Sequence, residues 1–346
     1  MSYSRLSGLR GILNDNQIRN LESYFSGLIG GAACSITTSK VAKMLGVTLG
    51  MACEAMRKCE QIGVVKSFYA VRCPNCHMLI KKVDNIKDIP ATPFECYACN
   101  EEVEIDLNDV EVLYSVEQEC FFDDGQQKLV NLPVSTVVPE DSLRNIMLNG
   151  GINEFLFHPT DEEYAELQQM YEKIKIHNGT TKAIGDTLES LVIRLFNLCP
   201  IFKAVGIKTT TNQIDCCVRN KLFLQYGILG TIGKCFYIEC KNEKRTPKGD
   251  YMSKLHSIIS LTNARNTELG IRFGIIISME KGPSNFKHLA VKSYLADKII
   301  IISICGEELE QLFVQKGNLL EIIERKTQEI IMDSTTDLVA AGLFSS

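Results

Sequence analysis

Four cysteines constrain this chain more than any other feature. Cys73-Pro-Asn-Cys76 and Cys96-Tyr-Ala-Cys99 are two pairs nineteen residues apart, C-x2-C-x19-C-x2-C. Two such turns bring four thiolates to one tetrahedral ion, and four sulfurs leave no open coordination position. The spacing predicts a structural Zn²⁺ held by Cys73, Cys76, Cys96 and Cys99 in a small β module, a zinc ribbon over residues 73–120. His77 directly follows a ligand and is read as a bystander. Strand-like residues flank each pair, and the acidic stretch CNEEVEIDLNDVEVLYSV alternates as an exposed strand pair. Several of the other cysteines, of fourteen in all, sit in apolar contexts (Cys199, Cys216, Cys217, Cys240, Cys305). That usage fits a reducing cytoplasm rather than a secreted disulfide scaffold.

Residues 1–72 read as helices followed by a strand. Apolar residues at Ile18, Leu21, Tyr24, Phe25 and Leu28 have helical spacing after a cap at Asn14 or Asp15. A short helix through Val41 and Met44 follows Thr37 and Thr38, GVT makes a tight turn, and a second helix runs from about Thr48 to Gln61. Gly63 ends it, and VVKSFYAV alternates as a strand. Helix, turn, helix, strand is the order of a winged helix-turn-helix. Arg57 and Lys58 would then lie on the exposed side of the second helix, and Lys66 and Arg72 on the wing, facing DNA. The same fold also serves protein contacts, which leaves an adaptor as the competing use.

A length of 346 residues allows two or three cores, and 45% hydrophobic with 23% charged residues is ordinary for a globular protein. No stretch is apolar enough to span a bilayer, and the N-terminus lacks a signal-peptide core, so the sequence predicts a cytoplasmic protein with no membrane partner. The net charge of −5 hides a strong asymmetry. Residues 1–72 carry nine basic and four acidic side chains, residues 73–180 seven and 21, and residues 181–346 21 and 17. Basic ends around an acidic middle leave nucleic acid open as a partner, because the relevant field is local. The five histidines show no nucleophile or metal spacing, and no Walker-type or dinucleotide loop is present.

Residues 121–178 read as an acidic connector with turn chemistry and one amphipathic helix, TDEEYAELQQMYEKIKI, broken by HNGTT. From residue 179 helices and strands alternate, as in an α/β sandwich, and runs such as GIIIS and IIIIS suit interior strands covered on both faces. One strand, CFYIECKNEK, places Glu239 and Lys241 on the same face. Asp215, on a neighbouring strand, would converge on them, and Glu189, on the first helix of this region, would reach in from the side. Three carboxylates and an amine suit a hard cation such as Mg²⁺, which would activate a water for phosphodiester hydrolysis while Lys241 orients it. Lys244, Arg245 and Lys248 follow in a loop that suits phosphate. Lys254, Asn263 and Arg265 on the next helix face either the site or water, and Tyr237 shares the Glu239 face. Leu309, Leu312, Phe313, Leu319 and Ile323, read as one helix, offer apolar surface for a homodimer or for packing in cis.

On these residues the region from about 180 to 315 resembles the PD-(D/E)xK restriction-endonuclease-like superfamily, in its Mrr-like and resolvase-like branch. Glu189 in GDTLESLV looks like the helix glutamate, Asp215 in NQIDCCV like the aspartate, and IECK like the (D/E)xK pair. The resemblance implies a central mixed sheet flanked by helices and a Mg²⁺-dependent DNA endonuclease, in genome defence or DNA processing. The alternatives are a DNA-binding regulator with a degenerate nuclease core and a resolvase of branched DNA.

Overall fold

The computed structural model describes residues 6–90, 92–116, 136–176, 181–208, 213–221, 227–243, 245–266, 268 and 270–340. The chain separates into two units, Met1–Thr160 and Asp161–Ser346, and is mixed α/β throughout. The division falls earlier than the break at HNGTT, whose residues 177–180 lie outside the described part. The acidic helix therefore belongs with the second unit. No described helix is long and apolar enough to cross a membrane.

In the first unit helices α1 (Asp15–Gly27), α2 (Thr38–Leu45) and α3 (Leu49–Gln61) begin at the caps their sequences offer. Asn14 and Gln17 form a reciprocal capping box, while Thr37 and Thr48 accept from Lys40 N and Met51 N. Gly46, at φ 63°, ends α2 in the left-handed conformation that a side chain resists. Strands β1 (Val65–Arg72) and β2 (Leu79–Val83) follow, then β3 (Phe94–Glu95), β4 (Glu102–Val103) and β5 (Val110–Val116). β1 lies between β2 and β5, antiparallel to both, and Ile36 adds a bridge to Tyr114 on the far side of β5. β3 and β4 pair separately. Helices α4 (Leu143–Gly150) and α5 (Ile152–Leu156) complete the unit, with α4 against α3 and β5.

Two expectations change here. β5 is not an exposed acidic strand, because every residue of it is buried between β1, the Ile36 bridge and α4. Arg72, at the end of β1, does not face outward either. It is 3% exposed, and its Nε and Nη2 donate to Glu111 Oε2 at 3.2 and 3.0 Å. A guanidinium and a carboxylate buried this deeply need each other, because either alone would be an uncompensated charge.

The second unit opens with α6 (Asp161–Lys175) and α7 (Thr181–Asn197), joined by Arg194, whose Nη2 lies 2.7 Å from Glu166 Oε2. Then come β6 (Phe202–Lys208), β7 (Gln213–Asn220), α8 (Gly227–Ile232), β8 (Cys235–Lys241), α9 (Asp250–Arg265), β9 (Phe273–Ser278), α10 (Asn285–Asp297) and β10 (Ile300–Cys305). The sheet order is β10-β9-β8-β7-β6, with β8, β9 and β10 parallel and β6, β7 and β8 antiparallel. Phe196 of α7 packs on Phe202 and Phe236, and Phe236 meets Phe273 edge-on, which forms the core on one sheet face. The other face, carrying Tyr237, Glu239 and Lys241, is covered by α9. At Gly274, beside Tyr237 in register, a Cβ would meet Leu255 at 3.0 Å and Ile259 at 3.1 Å, so the missing side chain lets α9 sit close.

The last stretch is two helices rather than one. α11 (Gly306–Val314) stops at a turn where Lys316 adopts φ 51°, and α12 (Leu319–Ala340) follows. Leu309, Leu312, Phe313, Leu319 and Ile323 are all buried within the unit, so the apolar surface considered for a homodimer is used in cis.

Candidate active site and metal centre

The four cysteines form two turns of the same design. Cys73 N–H donates to Met78 O and His77 N–H to Cys73 O, both at 2.9 Å. In the second turn Cys96 N–H donates to Glu101 O and Asn100 N–H to Cys96 O, both at 2.8 Å. His77 and Asn100 each occupy the left-handed region at φ 60° and 59°, where His and Asn are tolerated better than most side chains. His77 is therefore a turn residue, outside the ligand group. Cys73 Sγ lies 3.8 Å from Cys99 Sγ, and Cys76 Sγ 3.8 Å from Cys96 Sγ. Four sulfurs about 2.3 Å from a central Zn²⁺ are about 3.8 Å apart at tetrahedral geometry. The N–H groups of Ala98, then Cys99, donate to the Cys96 sulfur and pull its thiol down to about 7. Around the sulfurs, Val103, Ile80 and Phe94 close a small core. The four cysteines can hold a metal such as zinc.

The second cluster lies where β7 and β8 run side by side. Cys216 pairs with Ile238, which sets Asp215 beside Glu239 on one face. Asp215 is 8% exposed, and its Oδ2 accepts from Cys240 N–H at 2.7 Å. Glu239 is buried deeper still, at 2%. Lys241 Nζ lies 2.7 Å from Glu239 Oε1 and 3.7 Å from Asp215 Oδ2, donates to Cys240 O at 3.1 Å, and stands 5.0 Å from the Tyr251 ring. Tyr251 in turn donates to Glu243. Burial first, and then the Glu239 charge, push the Asp215 carboxyl above its usual range. Burial alone would lower the Lys241 amine, but Glu239 and Asp215 outweigh it and the net shift is upward.

Of the residues singled out in the sequence, Asp215, Glu239 and Lys241 come together, and Glu189 does not join Asp215 and Glu239 within 4.8 Å. Its charge bears on the thiols of Cys216 and Cys240, which alternate to the opposite sheet face. Burial pushes Cys216 up to about 12, so that thiol is no nucleophile. Lys254, left between site and water by its helical position, reaches the site: its Nζ lies 2.9 Å from Glu239 Oε1. Asn263 instead fastens the end of α9, exchanging two hydrogen bonds with the Ile271 backbone at 2.7 and 2.8 Å. Tyr237 is core. Arg245 and Lys248 are exposed, and Lys244 lies outside the described residues. Beyond the cluster, Ser278, Ile301, Ser303 and Cys305 continue the same sheet face into a cavity of about 450 Å³ also lined by Lys281 and Lys326.

The expected DNA-facing residues of the first unit are mostly turned inward. Arg57 donates to Gly150 O at 3.2 Å and Lys58 to Gln61 at 3.3 Å, and both are half-buried. The cause is coverage: α4 packs along α3 on one side, and the turn at Leu6–Leu9 lies against it on another. Lys66 is exposed, 4.0 Å from Asp84.

Asp215 and Glu239 suit a cation that keeps most of its waters, as Mg²⁺ does with one or two carboxylates. They do not form a fully caged ion site. Among the described residues, the four cysteines are the one set of three or more ligating side chains gathered within 4.8 Å. No family model, curated protein or solved structure matches this chain.

Proposed function

We propose that the second unit is a Mg²⁺-dependent endonuclease acting on DNA. The reading is carried by one observation: Lys241 touches the carboxylates of Asp215 and Glu239 from adjacent strands at the rim of an apolar sheet. Asp215 and Glu239 would hold the ion, which would supply an activated water and neutralise charge on the phosphodiester. Lys241, fixed by Cys240 O, is placed to orient that water or to meet the charge that develops on phosphate. The order of elements around the site, a helix and then five strands with the acidic pair on the second and third, supports the restriction-endonuclease-like resemblance. Exposed Arg245 and Lys248 follow the site within a few residues and suit backbone phosphates.

In the first unit, α1, the Ile36 bridge, α2, α3, β1 and β5 follow the order of a winged helix, with a zinc module inserted between the two wing strands. The inward turn of Arg57 and Lys58 directs DNA contact away from α3 and toward surfaces such as Lys66. A structural zinc at the four cysteines, a cytoplasmic setting and a role in genome defence complete the proposal.

A second reading draws on a specific observation. Both carboxylates already have ammonium partners, Lys241 for Asp215 and Lys241 with Lys254 for Glu239, as in a degenerate nuclease core that binds DNA without cutting it. Incubation of the purified protein with plasmid and with branched DNA, in Mg²⁺ or EDTA, separates the two. The nuclease reading requires Mg²⁺-dependent cleavage that Lys241→Ala reduces at least 100-fold, consistent with loss of a transition-state charge contact. Retention of DNA binding without cleavage in any divalent ion would favour the regulator, and strong preference for branched substrate would favour a resolvase.

A further inference from the structure

Glu239 carries one cation more than a (D/E)xK pair needs. Lys241 and Lys254 both approach its Oε1, at 2.7 and 2.9 Å. The two amines are held differently. Lys241 is 16% exposed and is also tied to Cys240 O, the Asp215 carboxylate and the Tyr251 ring. Lys254 arrives from α9, is 51% exposed, and has Glu239 as its one hydrogen-bond and ion-pair partner among the described residues. With half of its side chain in water, it can leave Glu239 by rotation alone, whereas Lys241 cannot leave without unmaking several contacts.

The charges explain why a second amine is there. Asp215 and Glu239 are both buried, and a single ammonium would leave one negative charge uncompensated. Two lysines make the cluster neutral without any metal. A divalent ion would bring two positive charges to the same carboxylates and would be repelled by whichever amine remained. We propose that Lys254 is an exchangeable counter-cation: it neutralises Glu239 in the ion-free site, and a divalent ion displaces it toward solvent. Lys254 then lowers the affinity of the site for metal and reserves Glu239 Oε1 until an ion competes for it. Its role is positioning, exerted through Glu239, and it rests on the reading of Asp215 and Glu239 as ion ligands.

The test is direct metal binding by the full-length protein with its four-cysteine site saturated with zinc. Mn²⁺ is titrated into the wild type, Lys254→Met, Lys254→Arg and Glu239→Gln, and free Mn²⁺ is read by electron paramagnetic resonance. Methionine keeps most of the aliphatic stem and removes the charge. Lys254→Met binds Mn²⁺ about tenfold tighter or more, because a positive charge a few ångströms away has been removed. Lys254→Arg, which retains the charge, stays near the wild type. Equal or weaker binding by Lys254→Met, when Glu239→Gln abolishes the wild-type site, overturns the exchange and leaves the ligand assignment standing. Binding in no variant above the Glu239→Gln background overturns both.

Discussion

The two charged centres of this molecule solve opposite problems. At the four cysteines, sulfurs pair at 3.8 Å on turns closed by four backbone hydrogen bonds. At Asp215 and Glu239, two lysines already balance two carboxylates. The first geometry can take an ion as it stands, since the four sulfurs gather without giving up any other partner. The second is complete as a set of ion pairs and can accept a divalent ion only by giving one up. Placing ligands is therefore not the same as needing metal, and the side chains already nearby tell the two cases apart.

The sharpest way to break this comparison is to withdraw metal. Chelation, or Cys96→Ser, should cost the first unit on the order of 10 kcal/mol of ion-linked folding energy. Hydrogen exchange read segment by segment should then show loss of protection over residues 73–109 and none over 235–241. Equal loss in both segments would mean that the carboxylate cluster also depends on metal for its order. Next in size is Glu239→Gln, which leaves two ammoniums facing one buried carboxylate. Denaturant unfolding should show a loss of about 3–5 kcal/mol with EDTA present, because the effect belongs to ion pairs and not to an ion. Gly274→Ala tests what brings Lys254 into play. Its Cβ presses on Leu255 and Ile259, and a cost of about 1–3 kcal/mol should come with exposure of the Lys254 amine to acetylation.

The smallest expected effect concerns His158, whose counter-charge, Glu60, lies 3.9 Å away. Burial lowers its pKa against the pull of Glu60, with the Arg57 charge adding to the lowering and backbone contacts at Glu154 and Phe155 opposing it. Cys53, Tyr69 and Tyr114 line the same recess. A base whose folded pKa is depressed stabilises the fold above its unfolded value, and that stability is lost as pH falls. The first unit should lose about 1 kcal/mol between roughly pH 7.5 and 5.5, and His158→Gln should flatten the curve.

The sequence made legible whatever depends on neighbours in the chain. The cysteine turns, the caps at Asn14, Thr37 and Thr48, and the pairing of Glu239 with Lys241 all follow from spacings of a few residues. The meeting of Asp215 with Glu239 needed one further step, the antiparallel register of β7 and β8. What stayed hidden depends on coverage. Arg72 looks like any strand-end cation until Glu111 appears opposite it, and Arg57 looks exposed until α4 covers α3. Glu189 has the right neighbours in sequence, yet its charge acts on thiols of the other sheet face. Lys254 could have been found from its place in the first turns of the helix after β8, but only Gly274, on a different strand, shows that the helix comes near enough.

The bridge from Ile36 to β5 and the pairing of β5 with β1 have a consequence for how this chain could have been assembled. Val71 pairs with Val110, so the segment that carries the cysteines begins and ends one strand spacing apart, and it sends β2 back along β1. An insertion with touching ends can be swapped for a tight turn, or for an unrelated module, without moving the strands that border it. The four-cysteine segment is thus a cassette held to the sheet by one strand: β2 lies along β1 from Tyr69 to Arg72, and removing the segment would leave that edge of β1 open.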